Sequence, residues 1–244
     1  MRSIRALLQF TTILPLGESV DFDRFAQRSW LYPIAGYVIG AISALPGLTA
    51  WYFGYSDSLV ISAFTLALVI SITGANHFDG LLDLGDGLMA HGSREKRIAA
   101  MTDRTIGAGA FALGTMIVLI TFACLASLPP LWIASAILCS EVFGKMMMGL
   151  FSSLGKPFHE GMHSYIYERS NRMFAVYTIF LTLPIFLMPE KIVVIAGFAM
   201  TLLTFCVLWY LARRCFGGVN GDVTGASNEI ARAVVAVTFA FLLI

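Results

Sequence analysis

Asp79, Asp83 and Asp86 stand at i, i+4 and i+7 of the stretch NHFDGLLDLGDGL (76–88), directly after the apolar run SLVISAFTLALVISITG (58–74). On a helix turning about 100° per residue, the three carboxylates fall within an arc of roughly 60°, with Asn76 at its edge. Leucines 81, 82, 84 and 88 occupy most of the remaining surface. A solvated helix usually alternates its acids with Lys or Arg, yet between Thr73 and Gly92 the only basic side chains are His77 and His91. Carboxylates this close repel one another unless a cation sits among them. All-oxygen donors without a thiolate favour a hard divalent ion, Mg2+ or Mn2+. The alternative is a solvated acidic face, which leaves the missing basic partners unexplained. Gly80, Gly85 and Gly87 weaken the helix and either break it or let something bulky approach its backbone.

A second acidic pair lies in GGVNGDVTGASNEIAR (217–232), where Asp222 and Glu229 are seven apart and share a face if the segment is helical. The glycines at 217, 218 and 221 could offer backbone N–H groups to an anion. Arg94, Lys96, Arg97 and Arg104 lie between the two clusters; Arg94 and Lys96 read as membrane-side anchors, and Asp103-Arg104 as a metal or phosphate contact. His159, Glu160 and His163 spell H-E-G-M-H, the spacing of a zinc protease helix. Pro157 and Gly161 disfavour a helix there and no third ligand is near, so a substrate-contacting loop is expected instead. Glu141 and Lys145 are four apart inside an apolar run. They suit a structural ion pair or a substrate-facing role equally.

The elements that carry these residues belong to a membrane protein. Of 244 residues, 58% are hydrophobic and 13% charged, against about a quarter charged in a soluble domain. The expected fold is all-α: a polytopic bundle of about seven spans, at roughly 31–53, 58–75, 106–128, 131–151, 173–189, 191–211 and 228–244, forming one domain over 1–244. Residues 1–30 read as an interfacial segment and 76–105, 152–172 and 212–227 as polar connections. Thirteen of the sixteen Lys and Arg residues fall in those four regions. Seven spans put all four on one side, which the charge bias makes cytoplasmic, with the N-terminus inside and the C-terminus outside. The four cysteines are scattered with no C-x-x-C, which fits buried thiols. The net charge of +1 singles out no partner, and the bilayer, not nucleic acid, is the expected surroundings.

The chain resembles the cobalamin-5′-phosphate synthase (adenosylcobinamide-GDP ribazoletransferase) family over nearly its whole length. That family's H-x-D-G-L-x-D-x-x-D-G-L core appears as His77, Asp79, Gly80, Leu81, Asp83, Asp86, Gly87 and Leu88, followed at the family's distance by Arg97, Met101, Asp103, Ile106 and Gly107. The lead-in to the first span is similar at Tyr32-Pro33-Ile34-Ala35-Gly36, and the C-terminal motif at Gly218, Gly221, Asp222, Gly225, Ala226 and Glu229. One departure is Ile13, where the family has an arginine, so any phosphate contact of that arginine is not expected here. The D-G-x-x-A-R signature of CDP-alcohol phosphotransferases is not matched.

The resemblance implies a Mg2+-dependent enzyme of the cell membrane that joins adenosylcobinamide-GDP to α-ribazole or its 5′-phosphate and releases GMP, with a homo-oligomer left open. It further implies that Asp79, Asp83 and Asp86 hold the metal. Asp103, Asp222 or Glu229 would complete its shell or, with Asp83, serve as catalytic carboxylates. Asn76, His77, Arg97, Arg104, Lys145, His159, His163 and Asn228 are then the expected substrate contacts. The rival expectations are another Asp-rich membrane phosphotransferase or prenyltransferase and, less favoured, a cation-coupled transporter. A transporter would place its ionisable groups near the midplane and show inverted repeats, whereas these acids gather at span ends.

Overall fold

A computed structural model describes residues 2–243 and is helical throughout, with no β-strand among the described residues. The helices are α1 (Arg2–Thr11), α2 (Asp23–Ala26), α3 (Tyr32–Ser43), α4 (Leu45–Phe53), α5 (Ser58–Ile72), α6 (Asn76–Met89), α7 (Arg94–Met101), α8 (Ala108–Ala126), α9 (Pro130–Leu154), α10 (Met162–Glu168), α11 (Met173–Thr182), α12 (Lys191–Cys215) and α13 (Gly221–Leu243). Five stretches are long and apolar enough to cross a bilayer: Ser29–Phe53, which joins α3 and α4, and the helices α8, α9, α12 and α13. Two further pairs meet this test only together and are sharply bent, α5 with α6 by 92° and α10 with the Met173–Leu187 stretch by 102°. Counting each pair once gives seven, the number read from the hydropathy pattern. At ten residues α1 is too short to span a core of about 30 Å.

Local chemistry sets the helix ends. Asp57 caps α5 by accepting the Leu59 and Val60 N–H groups, and the Pro129-Pro130 step starts α9, where a missing N–H costs nothing. Asn220 caps α13: its Oδ1 accepts the Val223 N–H at 3.0 Å. That cap corrects one boundary, since α12 continues to Cys215 and α13 starts at Gly221. The expected polar connection 212–227 therefore shrinks to 216–220, and Asp222 and Glu229 share one helix. The right angle between α5 and α6 is made by Gly74 (φ 61°) and Ala75 (φ 57°). The left-handed region is free to glycine, but costs a residue with a Cβ about 1–2 kcal/mol.

The almost wholly buried α9 forms the axis of the bundle, with α3, α4, α11 and α13 against it. Its polar residues meet those of α13 in a buried network of ion pairs and hydrogen bonds. Glu141 Oε1 accepts from Arg232 Nε at 2.7 Å, Arg232 also pairs with Glu229, Lys145 Nζ lies 3.6 Å from Glu141, and Lys145 donates to Asn228 at 2.7 Å. All five side chains are buried. Two cations and two anions cancel, which makes such burial tolerable at membrane depth. Glu141 and Lys145 therefore form a structural ion pair, the first of the two roles their spacing allowed.

The polar segments converge on one end of the bundle. The Ile13 N–H reaches Ile72 O at 2.8 Å, Asp23 binds Arg169 and Tyr165, and an isolated bridge joins Pro157 to Val219. Asp23 is held below the usual carboxylate range by the hydrogen bonds from Tyr165 and Arg169.

Truncating one member of the buried network should be costly, because it strands an opposite charge. Arg232→Met is expected to destabilise the protein by about 3–5 kcal/mol, read as a lowered midpoint of thermal unfolding in detergent. An unchanged midpoint would mean that the network contributes nothing to holding α9 on α13.

Candidate active site

The site is built where α6 crosses the first turn of α13. A Cβ on Gly80 would sit 2.9 Å from Asp222 O and 3.1 Å from Asp222 Cα, so only glycine allows the backbones to come this close. The contact brings Asp79 and Asp83 of α6 to the same cavity as Asp222 of α13. That cavity, about 470 Å³, is closed by Asp103, Arg104 and Thr105 from the α7–α8 connection and by His159 from the α9–α10 connection. Val219 N–H donates to Lys156 O at 2.9 Å, which ties the His159 loop to the start of α13.

Each carboxylate has a distinct setting. The three-aspartate helix α6 turns away from α5 at a right angle, and Asp83 shares its cavity with Asp79 and Asp222, so their like charges repel one another there. Asp222 is oriented by Asn220, whose Nδ2 donates to Oδ2 at 2.6 Å. Asp103 accepts from Thr105 through its hydroxyl (2.6 Å) and backbone N–H (2.8 Å), and these bonds hold it below the usual carboxylate range. A divalent cation would relieve the repulsion around Asp83, and the donors are the hard oxygens that Mg2+ prefers. Among the described residues no group of three or more His, Cys, Asp or Glu side chains is arranged to hold a metal ion; Mg2+ ordinarily takes only one or two carboxylates, with waters and substrate phosphates completing its shell.

Not every expected site residue lies here. Asp86 shares the face of Asp79 and Asp83 but caps α8, its two oxygens accepting N–H from Gly107 (2.8 Å) and Ala110 (2.9 Å). Glu229, Lys145 and Asn228 belong to the buried network of α9 and α13. The Arg97 guanidinium caps α6, donating to Leu88 O at 2.7 Å. Arg104 and His159 do line the aspartate cavity, both from exposed positions. His163 is buried, its Nε2 2.8 Å from Gly155 O and its Nδ1 3.2 Å from Thr224 Oγ1, while α10 starts only at Met162. The two histidines of H-E-G-M-H thus face different surroundings, and no zinc-protease helix exists. Asn76 and His77 line a second cavity beside the first. Ile13 lies against the Gly74 turn, where a Cβ on Gly74 would meet its Cγ2 at 2.6 Å.

Sequence reasoning passed over Asn220, Thr105 and Arg232. Asn220 carried a usable signal, a good N-cap residue immediately before a helix; the other two did not.

The family model described as cobalamin-5-phosphate synthase matches residues 3–240. The chain belongs to the cobalamin-5-phosphate synthase family. Among the similar members of this family is the adenosylcobinamide-GDP ribazoletransferase of Methanococcoides burtonii, 32% identical over 96% of this chain and 89% of the relative. Those of Methanocella arvoryzae, 33% identical over 95% and 92%, and Archaeoglobus fulgidus, 31% identical over 98% of both chains, are equally similar. No solved structure matches. Family membership sets aside the prenyltransferase and transporter expectations.

The different settings of the aspartates predict different costs. Asp86→Ala should destabilise the protein by about 0.5–2 kcal/mol through loss of the α8 cap. Asp83→Asn, which removes a repelling charge, should leave thermal stability unchanged or raised. Equal losses in detergent unfolding would contradict this division of roles.

Proposed function

We propose that this chain is an adenosylcobinamide-GDP ribazoletransferase, acting at the cytoplasmic face of the cell membrane. It joins adenosylcobinamide-GDP to α-ribazole or its 5′-phosphate, with release of GMP. The observation that carries the proposal is the single cavity in which carboxylates of α6 and α13 meet, at the end of the bundle where the polar segments gather. The four regions 1–30, 76–105, 152–172 and 212–227 hold thirteen of the sixteen Lys and Arg residues, which supports a cytoplasmic orientation.

Asp79, Asp83 and Asp222 are the residues that would hold Mg2+, with Asp86 kept at the α8 cap. The ion would neutralise the diphosphate and stabilise charge on the phosphoryl group in transit. A ribose hydroxyl of the ribazole attacks the phosphorus bonded to the cobinamide side chain, its proton passing to a carboxylate of the cavity. The new P–O bond replaces the one to GMP, which departs with the bonding electrons. Of Asp83 and Asp222, the one left free of the ion would be the base, since Asp103 is engaged by Thr105 and Glu229 by Arg232. Arg104 lies where it can meet the anionic phosphates.

The test is GMP release from adenosylcobinamide-GDP and α-ribazole 5′-phosphate by the protein in lipid, with Mg2+ or with EDTA. Release that requires Mg2+ is expected, and Asp83→Asn should lower it on the order of 100-fold or more while remaining in the membrane. Wild-type turnover in EDTA, or full activity of Asp83→Asn, would overturn the site.

A further inference from the structure

Next to the aspartate cavity, and sharing α6 and α13 with it, is a second cavity of about 360 Å³. That volume lies within the range of small-molecule sites. Its lining contains no Asp, Glu, Lys or Arg, in contrast to the acid-rich cavity two residues further along α6. Phe10, Tyr32, Met148 and Ile166 give it apolar walls, Gln9, Asn76, His163 and Thr224 add uncharged polar groups, and the His77 ring and the Ser152 hydroxyl are left without a partner. His77 is buried and its Nδ1 makes no hydrogen bond within the protein. A buried ring nitrogen left unpaired is costly, and nothing in the apolar walls offsets that cost.

We propose that this cavity seats the benzimidazole ring of the acceptor nucleoside, with the His77 imidazole hydrogen-bonded to the incoming ligand. The assignment rests on the reaction proposed above, in which the acceptor hydroxyl must reach phosphorus at the aspartates while the rest of the nucleoside lies alongside. A glycosylated dimethylbenzimidazole is uncharged and planar, has one acceptor nitrogen and carries no N–H donor. A hydrogen bond from His77 within walls that are partly aromatic and carry no charged side chain suits it. Guanine, the other base in the reaction, has an N–H and NH2 edge that a carboxylate pairs best, and this cavity has no carboxylate. The charged diphosphate and the neutral ring are thereby sorted into adjoining compartments.

Gly221 gives a clean probe. It lines the cavity, and a Cβ built on it meets no atom within 4 Å. Gly221→Leu should therefore fold normally and fill the space from the α13 side. Calorimetry with α-ribazole and the protein in nanodiscs reads binding without turnover. The expected result is an affinity weakened about tenfold or more by Gly221→Leu and, in the wild type, not competed by guanosine. His77→Leu should weaken α-ribazole binding in the same way, while the KM for adenosylcobinamide-GDP stays within about twofold. Unaltered α-ribazole affinity in Gly221→Leu, or displacement of α-ribazole by guanosine, would overturn the assignment. The two proposals fail differently. GMP release with α-ribazole affinity insensitive to Gly221→Leu would sink the cavity assignment alone. Ribazole binding that is sensitive to Gly221→Leu, with no GMP release by the wild type, would sink the reaction alone.

Discussion

The backbone contact between α6 and α13 at Gly80 is the constraint on which the site depends. Asp79 and Asp83 come from one helix and Asp222 from another, and nothing in the chain between them brings them together. Only because residue 80 lacks a Cβ can the Asp222 backbone lie against α6 and the three carboxylates open into one cavity. The right-angle turn at Gly74 and Ala75 is the second half of the same arrangement. It directs α6 across the start of α13, and Ala75 bears a left-handed backbone as the cost.

Behind that contact, the Glu141–Arg232–Glu229–Lys145 network fixes α13 against the central helix. Ionisable groups in a membrane bundle ordinarily mark a pathway or a reaction site. Here the charges cancel among themselves, and the network is a frame that holds α13 in place behind the aspartate cavity. Placing that frame about two to three turns deeper than Asp222 lets the mouth of the bundle hold a surplus of negative charge while the interior stays neutral.

The architecture was legible in the sequence because membrane spans are long apolar runs and need no tertiary information to be recognised. The clustering of Asp79 with Asp83 followed in the same way from helical periodicity. Periodicity gives the face of a helix but not what packs at each level along it. Asp86 lies seven residues beyond Asp79, about 10 Å along the axis, and at that level the N-terminus of α8 supplies two N–H groups to it. Glu229 is displaced from Asp222 by the same rise along α13 and meets Arg232 there. Arg97 is an expected substrate contact by family resemblance, and its guanidinium caps the carbonyl end of α6. These assignments required knowledge of which helix end faces which side chain, a tertiary fact absent from spacing.

The most direct measurement is the rate of GMP release by Gly80→Val, in protein shown to be folded and membrane-inserted by its thermal unfolding transition. The added side chain pushes α6 off the Asp222 backbone without altering any carboxylate. A loss of turnover on the order of 100-fold, as for removal of a group that stabilises the transition state, is the predicted result. A near wild-type rate in the folded variant would show that the α6–α13 contact does not build the site.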